Sequence, residues 1–221
     1  MQHSSLSFLL VDDHPFILEA YKNGIVSFCE NSPVFYEAFD CRSGYELIQE
    51  VGNKIDIAFL DISMPHFFEK NIKSGLDLAL LIREKFPRVK IVILSMHSEN
   101  MHIEEIMDQI APEGMIIKND LNFPDLIYML ERIVADDTFL SETIVKMIQD
   151  ERYRYMGINK MDKIILKLLS QGETVKNIAS DLKLNTTILQ KRLHSLAYIM
   201  EVPEQSDLAL LAKYAQEKHI I

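Results

Sequence analysis

Five polar side chains stand immediately after runs of strand-forming residues, and their types fit one chemistry. Phe8-Leu9-Leu10-Val11 runs into Asp12 and Asp13, and Ile57-Ala58-Phe59-Leu60 into Asp61. Val89 to Leu94 ends at Ser95, and Met115-Ile116-Ile117 ends at Lys118. In open α/β sheets ligands bind outside the carboxyl ends of the strands, so polar residues there are placed for chemistry rather than packing. Three carboxylates brought together repel unless a cation lies among them. Oxygen donors with room for water suit Mg2+, which favours one or two carboxylates plus phosphate oxygens. Asp61 would then be free to attack a phosphoryl group, with the cation and Lys118 neutralising the developing charge and the Ser95 hydroxyl donating to a phosphoryl oxygen.

The elements that must position these groups alternate regularly. Strand-like runs and apolar-periodic helices alternate five times over the first 130 or so residues. That alternation predicts a flavodoxin-like, doubly wound five-stranded parallel sheet with helices on both faces. Pro15 suits the first turn of a helix, with His14 before it expected to cap that helix rather than bind metal. Ser43 is expected to cap a short helix through Val51, another helix is expected over Asn100 to Ile110, and Pro124 opens one more. Thr138 to Ile148 reads as partly helical and Gln149 to Gly157 as a linker. Beyond Ile158 there are only short helical patterns, broken at Gly172, Asn185 and Pro203, which predicts a small all-α four-helix domain.

Composition narrows the class. The chain has 221 residues, room for two modest domains, and a net charge of −10. Nine Lys/Arg against seven Asp/Glu from Tyr155 onward give the tail +2, which leaves −12 in front of it. No apolar run approaches the roughly 20 residues that span a bilayer. The polar Met1 to Ser7 has no signal-peptide pattern, and Cys29 and Cys41 fit neither a disulfide framework nor a metal spacing. The expectation is a cytoplasmic protein.

Residues 5 to 135 resemble the receiver domain of two-component response regulators. The resemblance is carried by Val11-Asp12-Asp13-His14, Leu60-Asp61-Ile62-Ser63-Met64-Pro65, Ile93-Leu94-Ser95 and Ile117-Lys118. It implies that Asp61 is phosphorylated by a partner sensor histidine kinase, with phosphohistidine as donor. It further implies that Asp13, Asp61 and the backbone carbonyl of Ser63 hold Mg2+ directly and that Asp12 helps through water. Ser95 would signal the phosphorylation and Lys118 pair with the phosphoryl group. Met115 stands where the family commonly carries an inward-swinging aromatic, so an aromatic switch is not expected. The loop between Pro65 and Gly75 is longer than usual, and its Phe67-Phe68 pair is expected either to cover part of the acidic site or to meet a partner.

Residues 158 to 219 are similar to the four-helix output domain of NarL/LuxR-type regulators. The match runs through Ile165-Leu166-Lys167-Leu168-Leu169, Gly172, Lys176-Asn177-Ile178-Ala179, Leu182 and Leu184. Two short helices joined by a tight turn suit a helix-turn-helix. The exposed side of Thr186 to Met200 offers Thr187, Gln190, Lys191, His194 and Tyr198, with Arg192 on its flank, to duplex DNA. By the resemblance Gln190, Lys191 and His194 would face bases, and Thr186 and Arg192 the backbone. A fourth helix, Ser206 to Gln216, would supply a dimer face through Leu208, Leu211 and Ala212, so that a phosphorylated homodimer reads a two-fold site. The divisions are thus 1–135, receiver; 136–157, helical extension and linker; 158–221, output domain. The glycine that usually ends the recognition helix is missing near Glu201.

Two rival readings stay open at this point. The tail could act by protein–protein contact instead of on DNA. Asp61 could be the nucleophile of a dehalogenase-like phosphatase, against which stand Ser63 where that chemistry needs an acid and the placement of Asp61 on the third strand. In the leading reading the chain turns over no external substrate and is not an enzyme beyond its own phosphotransfer and autodephosphorylation.

Overall fold

A computed structural model describes residues 5–97, 102–203 and 208–221. The chain forms two compact units, Met1–Lys146 and Met147–Ile221.

The first unit is built on a parallel sheet. Its strands are β1 (Ser7–Val11), β2 (Val34–Ala38), β3 (Ile57–Asp61), β4 (Lys90–Ser95), β5 (Gly114–Ile117) and β6 (Phe139–Leu140). Their order is β2-β1-β3-β4-β5-β6, and every neighbouring pair is parallel. The flavodoxin-like order is as expected, with a sixth strand added. Two residues are too few to carry a periodic signal, and this strand exists because tertiary pairing satisfies its backbone: Phe139 donates to the Glu113 carbonyl at 2.9 Å and Ser141 to that of Met115 at 3.0 Å.

The central strands β3, β4 and β5 are buried throughout except at Lys90, the first residue of β4, which is why they read as apolar runs. Helix α1 (Pro15–Phe28) and α5 (Phe123–Val134) cover one face, around Leu10, Phe59, Leu94 and Ile116. They approach so closely that a Cβ on Gly24 would fall 2.3 Å from Leu126 Cδ2. On the other side α2 (Cys41–Val51) and α3 (Gly75–Lys85) meet, with Gly44 against Val11 and Leu78. The helix α4 (Ile103–Gln109) follows β4, and its expected start at Asn100 lies outside the described residues.

Local chemistry sets the helix starts. Asp40, not Ser43, caps α2: its carboxylate accepts from the Ser43 amide while Ser43, three residues on, answers the cap backbone. Ser74 and Asp77 do the same for α3, and Asn122 caps α5. The expected linker is instead largely helix, because α6 runs from Glu142 to Tyr155.

The second unit contains α7 (Lys160–Ser170), α8 (Val175–Asp181), α9 (Thr186–Ile199) and α10 (Leu208–Glu217). Asn159, Thr174 and Asn185 cap the first three. Gly172, at φ 86°, sits just past α7, where its amide and that of Glu173 answer the carbonyls of Leu169 and Leu168. The core gathers Ile165, Leu166, Ile178, Leu189, Leu193, Leu196 and Leu211. Ser206, the expected start of the last helix, lies outside the described residues.

Candidate functional site: an acidic pocket and an exposed helix

Parallel register brings the strand ends together: Val11 lies opposite Leu60, Asp61 opposite Leu94 and Ser95 opposite Ile117. The residues just past these ends therefore share one rim. Lys118 Nζ reaches Asp12 Oδ2 at 2.6 Å and Asp61 Oδ2 at 3.0 Å, with the three side chains 4%, 1% and 1% exposed. Oδ1 of Asp61 is buried and has no hydrogen-bond partner among the described residues. One donor atom from each of Asp12, Asp13, His14 and Asp61 lies within 4.8 Å of the others.

One ammonium among three carboxylates leaves negative charge uncompensated. Burial pushes the Asp61 carboxyl above its usual range, contact with Lys118 opposes the rise, and the Asp12 charge adds to it. An orphan carboxylate oxygen in a cluster of hard oxygen donors fits a divalent cation such as Mg2+.

The remaining pocket residues divide. Asp13, at the open edge, has its side chain 33% exposed. His14 occupies the cap position of α1 but makes no side-chain cap hydrogen bond, contrary to expectation. Its ring turns to the acids, with Nδ1 2.7 Å from Asp13 Oδ1 and 3.2 Å from Asp12 Oδ1. With Pro15 at the first helical position one orphan donor is already absent, so little is lost. Ser95 is buried at the end of β4, where its hydroxyl donates to the His97 carbonyl at 2.7 Å and accepts from the His97 amide at 3.2 Å. Ser63 is exposed just beyond β3, and its amide helps to hold the Asp61 charge. Met115 is fully buried.

The helix following Asp61 must start hard against it. A Cβ on Gly75 would lie 2.0 Å from the Asp61 carbonyl oxygen, so only glycine admits this approach. The intervening loop folds back on itself through paired backbone bonds between Phe67 and Ile72, of 2.8 and 3.1 Å. Phe67 is buried beside Tyr45 of α2, at 5.7 Å between ring centres, while Phe68 stays 80% exposed.

A second polar cluster was not visible in the sequence. Asp120 accepts from the Ser141 hydroxyl at 2.7 Å, the Thr143 amide at 2.9 Å and the Thr143 hydroxyl at 2.9 Å. The Ser141 oxygen in turn accepts from the Ile117 amide at 3.1 Å. Burial works against the Asp120 charge, and these donors outweigh it and lower its pKa.

In the second unit Thr186, Thr187, Gln190, Lys191 and His194 are exposed along α9. Arg192 belongs elsewhere. Its Nε donates to Asp162 Oδ1 at 2.7 Å, and its Nη2 to Asp162 Oδ2 at 2.5 Å and the Gly157 carbonyl at 2.6 Å. Asp162 is 2% exposed. A guanidinium held on two sides by its own domain is not free for a phosphate, which corrects the expectation for Arg192. Nothing in the sequence singled out Asp162, whose partner lies thirty residues away. The expected dimer face is corrected too: Leu211 and Ala212 are 2% and 3% exposed inside the core of their own unit, leaving Leu208 on the surface.

Among the described residues no helix is long and apolar enough to cross a membrane. The transcriptional regulatory protein MctR of Rhizobium johnstonii is 23% identical over all of this chain and 97% of its own length. A LuxR-family two-component response regulator from Aurantimonas sp. SI85-9A1 matches 68% of this chain and 99% of its own, at 26% identity and TM-score 0.56. RcsB, solved in complex with DNA, matches 96% of this chain and 98% of its own at 20% identity and TM-score 0.56, a likeness of fold. Residues 8–130 match the response regulator receiver domain family. That span exceeds half the chain and contains the whole acidic pocket, so the chain belongs to the response regulators.

Proposed function

We propose that this is a phosphorylation-controlled transcription regulator of the cytoplasm, in which Asp61 accepts a phosphoryl group from the phosphohistidine of a sensor histidine kinase. One observation carries the reading: Asp61 Oδ1 is a buried carboxylate oxygen, unpartnered among the described residues, beside a buried ammonium. In the transfer a carboxylate oxygen bonds to phosphorus as the phosphorus–nitrogen bond breaks, and the imidazole leaves with that electron pair. Asp12, Asp13, Asp61 and the Ser63 carbonyl would hold Mg2+, which neutralises charge on the phosphoryl oxygens. Lys118, already between two carboxylates, can turn to the new oxygens. Ser95 must leave the His97 carbonyl to donate to them, and Met115 repacks behind it. No external substrate is turned over.

The output reading rests on α9. Thr186, Thr187, Gln190, Lys191 and His194 offer hydroxyl, amide, cationic and imidazole groups along one exposed helix, suited to base edges and phosphates of duplex DNA. Residues 158–221 form this output part, 1–135 the receiver and 136–157 the extension between them. Phosphorylation favours a homodimer that reads a two-fold site.

Treatment with acetyl phosphate and Mg2+ should add one phosphoryl mass to the wild type and none to Asp61→Asn. It should also raise dimer content and salt-dependent DNA affinity in the wild type alone. Phosphoryl uptake by Asp61→Asn refutes the site. DNA binding that Lys191→Ala leaves unchanged, in affinity and salt dependence, refutes the assignment of α9.

A further inference from the structure

Lys118, whose ammonium lies between Asp12 and Asp61 at 2.6 and 3.0 Å, is held from both sides by the start of α6. Before it, the Ile117 amide donates to the Ser141 hydroxyl at 3.1 Å. After it, Asp120 closes a 3-10 turn that opens at Lys118. The Asp120 carboxylate accepts from the Ser141 hydroxyl at 2.7 Å and from the Thr143 amide and hydroxyl, each at 2.9 Å. The Ser141 carbonyl in turn accepts from the Val145 amide at 3.0 Å, so the first turn of α6 is fixed by the same two residues that fix Lys118. Other helices of this unit do not share the arrangement. The starts of α2, α3 and α5 are capped by the residue immediately before each helix, whereas α6 draws its cap from an acid 23 residues upstream of Thr143. Ser141 stands where a serine commonly caps its own helix, yet its hydroxyl is directed to Asp120. With Ser141 only 4% exposed, water has little access to the bonds it makes.

We propose that Asp120 is a positioning residue for Lys118, and that through Ser141 and Thr143 it couples the phosphoryl state of Asp61 to the order of α6. The proposal rests on reading Asp61 as the phosphoacceptor and adds a route by which its state leaves the pocket. That route ends in the helix where the chain passes from the first unit to the second. A phosphoryl group on Asp61 gives the ammonium a further anionic partner and holds Lys118 more firmly. Because Ile117 and Asp120 are both bonded to the start of α6, what fixes Lys118 also fixes Ser141 and Thr143. An ordered cap, conversely, presents the ammonium to the incoming group. Each event lowers the cost of ordering for the other. Whatever factor the phosphoryl group adds to the cap, the cap adds to the binding of the phosphoryl group.

Beryllofluoride with Mg2+, which settles on a carboxylate as a phosphoryl group would, reads both directions at equilibrium in the full-length protein. In the wild type it should slow hydrogen exchange of the Thr143 and Val145 amides about fivefold or more, the lower end of ordinary coupling between sites. In Asp120→Ala those amides should exchange faster and no longer respond. Beryllofluoride affinity should fall in that variant by the factor that wild-type exchange gained. In a Lys118→Ala background, adding Asp120→Ala should change the affinity by less than about twofold, because the effect of Asp120 passes through the ammonium. A residue that merely stabilised the fold would lower both backgrounds alike. Should Asp120→Ala not fold, Ser141→Ala, which removes the hydroxyl common to both flanks of Lys118, takes its place with the same expectations. Wild-type exchange that does not slow, a response that survives in the variant, an affinity within about twofold of wild type, or an equal fall in the Lys118→Ala background overturns the proposal. Wild-type protein that binds no beryllofluoride, or Asp61→Asn that binds it as well as the wild type, overturns the phosphoacceptor reading instead, a separable failure.

Discussion

Arg192 offers the sharpest separation between a structural and a DNA-contacting residue. Arg192→Met removes a guanidinium that makes two bonds to Asp162, of 2.7 and 2.5 Å, and one to the Gly157 carbonyl. Asp162 would keep its bond from the Asn159 amide at 2.8 Å but lose the cation beside a side chain only 2% exposed. Breaking a buried pair from one side costs about 3–5 kcal/mol, and since Arg192 is 31% exposed the low end, about 3 kcal/mol, applies. For a unit the size of residues 147–221 that is a fall in its melting temperature of roughly 12–24 °C. Hydrogen exchange of amides in α7 and α9 in the full chain reads the loss locally. DNA titrations over a salt series should give the parent slope wherever the variant is folded, because no phosphate contact has gone. Asp162→Asn combined with Arg192→Met should recover most of the stability, since no charge is then left alone and the amide oxygen can still accept from Asn159. Stability within about 0.5 kcal/mol of wild type, with a salt slope shallower by about one, would refute the reasoning and return Arg192 to the DNA.

Glu201 holds φ 57° at the end of α9, where the Val202 amide closes on the Ala197 carbonyl at 2.9 Å. Glu201→Gly should raise the stability of this unit by about 1 kcal/mol in thermal melts, by removing left-handed strain from a non-glycine residue. Gly75→Ala should cost about 1–3 kcal/mol in urea unfolding and slow phosphoryl uptake from acetyl phosphate, because the new methyl meets the Asp61 backbone. In chelator-treated buffer Asp61→Asn should unfold at higher urea than the wild type at neutral pH. Burial raises the Asp61 pKa, so its neutral form is the one the fold favours; that contribution is complete below the ordinary carboxylate value and lost as pH rises through the elevated one. The advantage of Asp61→Asn should therefore grow with pH, and Mg2+ should reduce it by binding the folded wild type.

How much was legible follows from the range of each interaction. Buried parallel strands announce themselves as apolar runs, and a residue directly after such a run is placed by the topology, so Asp12, Asp61, Ser95 and Lys118 were readable as one rim. What escaped depended on partners far along the chain. Asp162 and Arg192 are thirty residues apart, and Asp120 meets Ser141 and Thr143 across more than twenty. Neither spacing falls within one helix or one hairpin, so neither has a periodic signature. His14 was misread because position before a proline and a helix argues for a cap, whereas the nearby charges of Asp12 and Asp13 decide the ring orientation. Leu211 and Ala212 were placed on an outer face because a ten-residue helix with two apolar stripes does not say which stripe its own core will use.

The short strand β6 has a consequence for how copies of this chain can meet. An uncovered edge strand presents free amides and carbonyls to any extended segment, and β5 would be such an edge. Phe139 and Leu140 occupy its first two positions, and the Ser141 hydroxyl then takes the Ile117 amide in place of a backbone acceptor. The edge on this side is then β6, only two residues long, which offers a foreign strand a very short template. The opposite border is β2, where Glu37 is a charged residue on the edge strand, tied at 3.0 Å to Lys22 of α1.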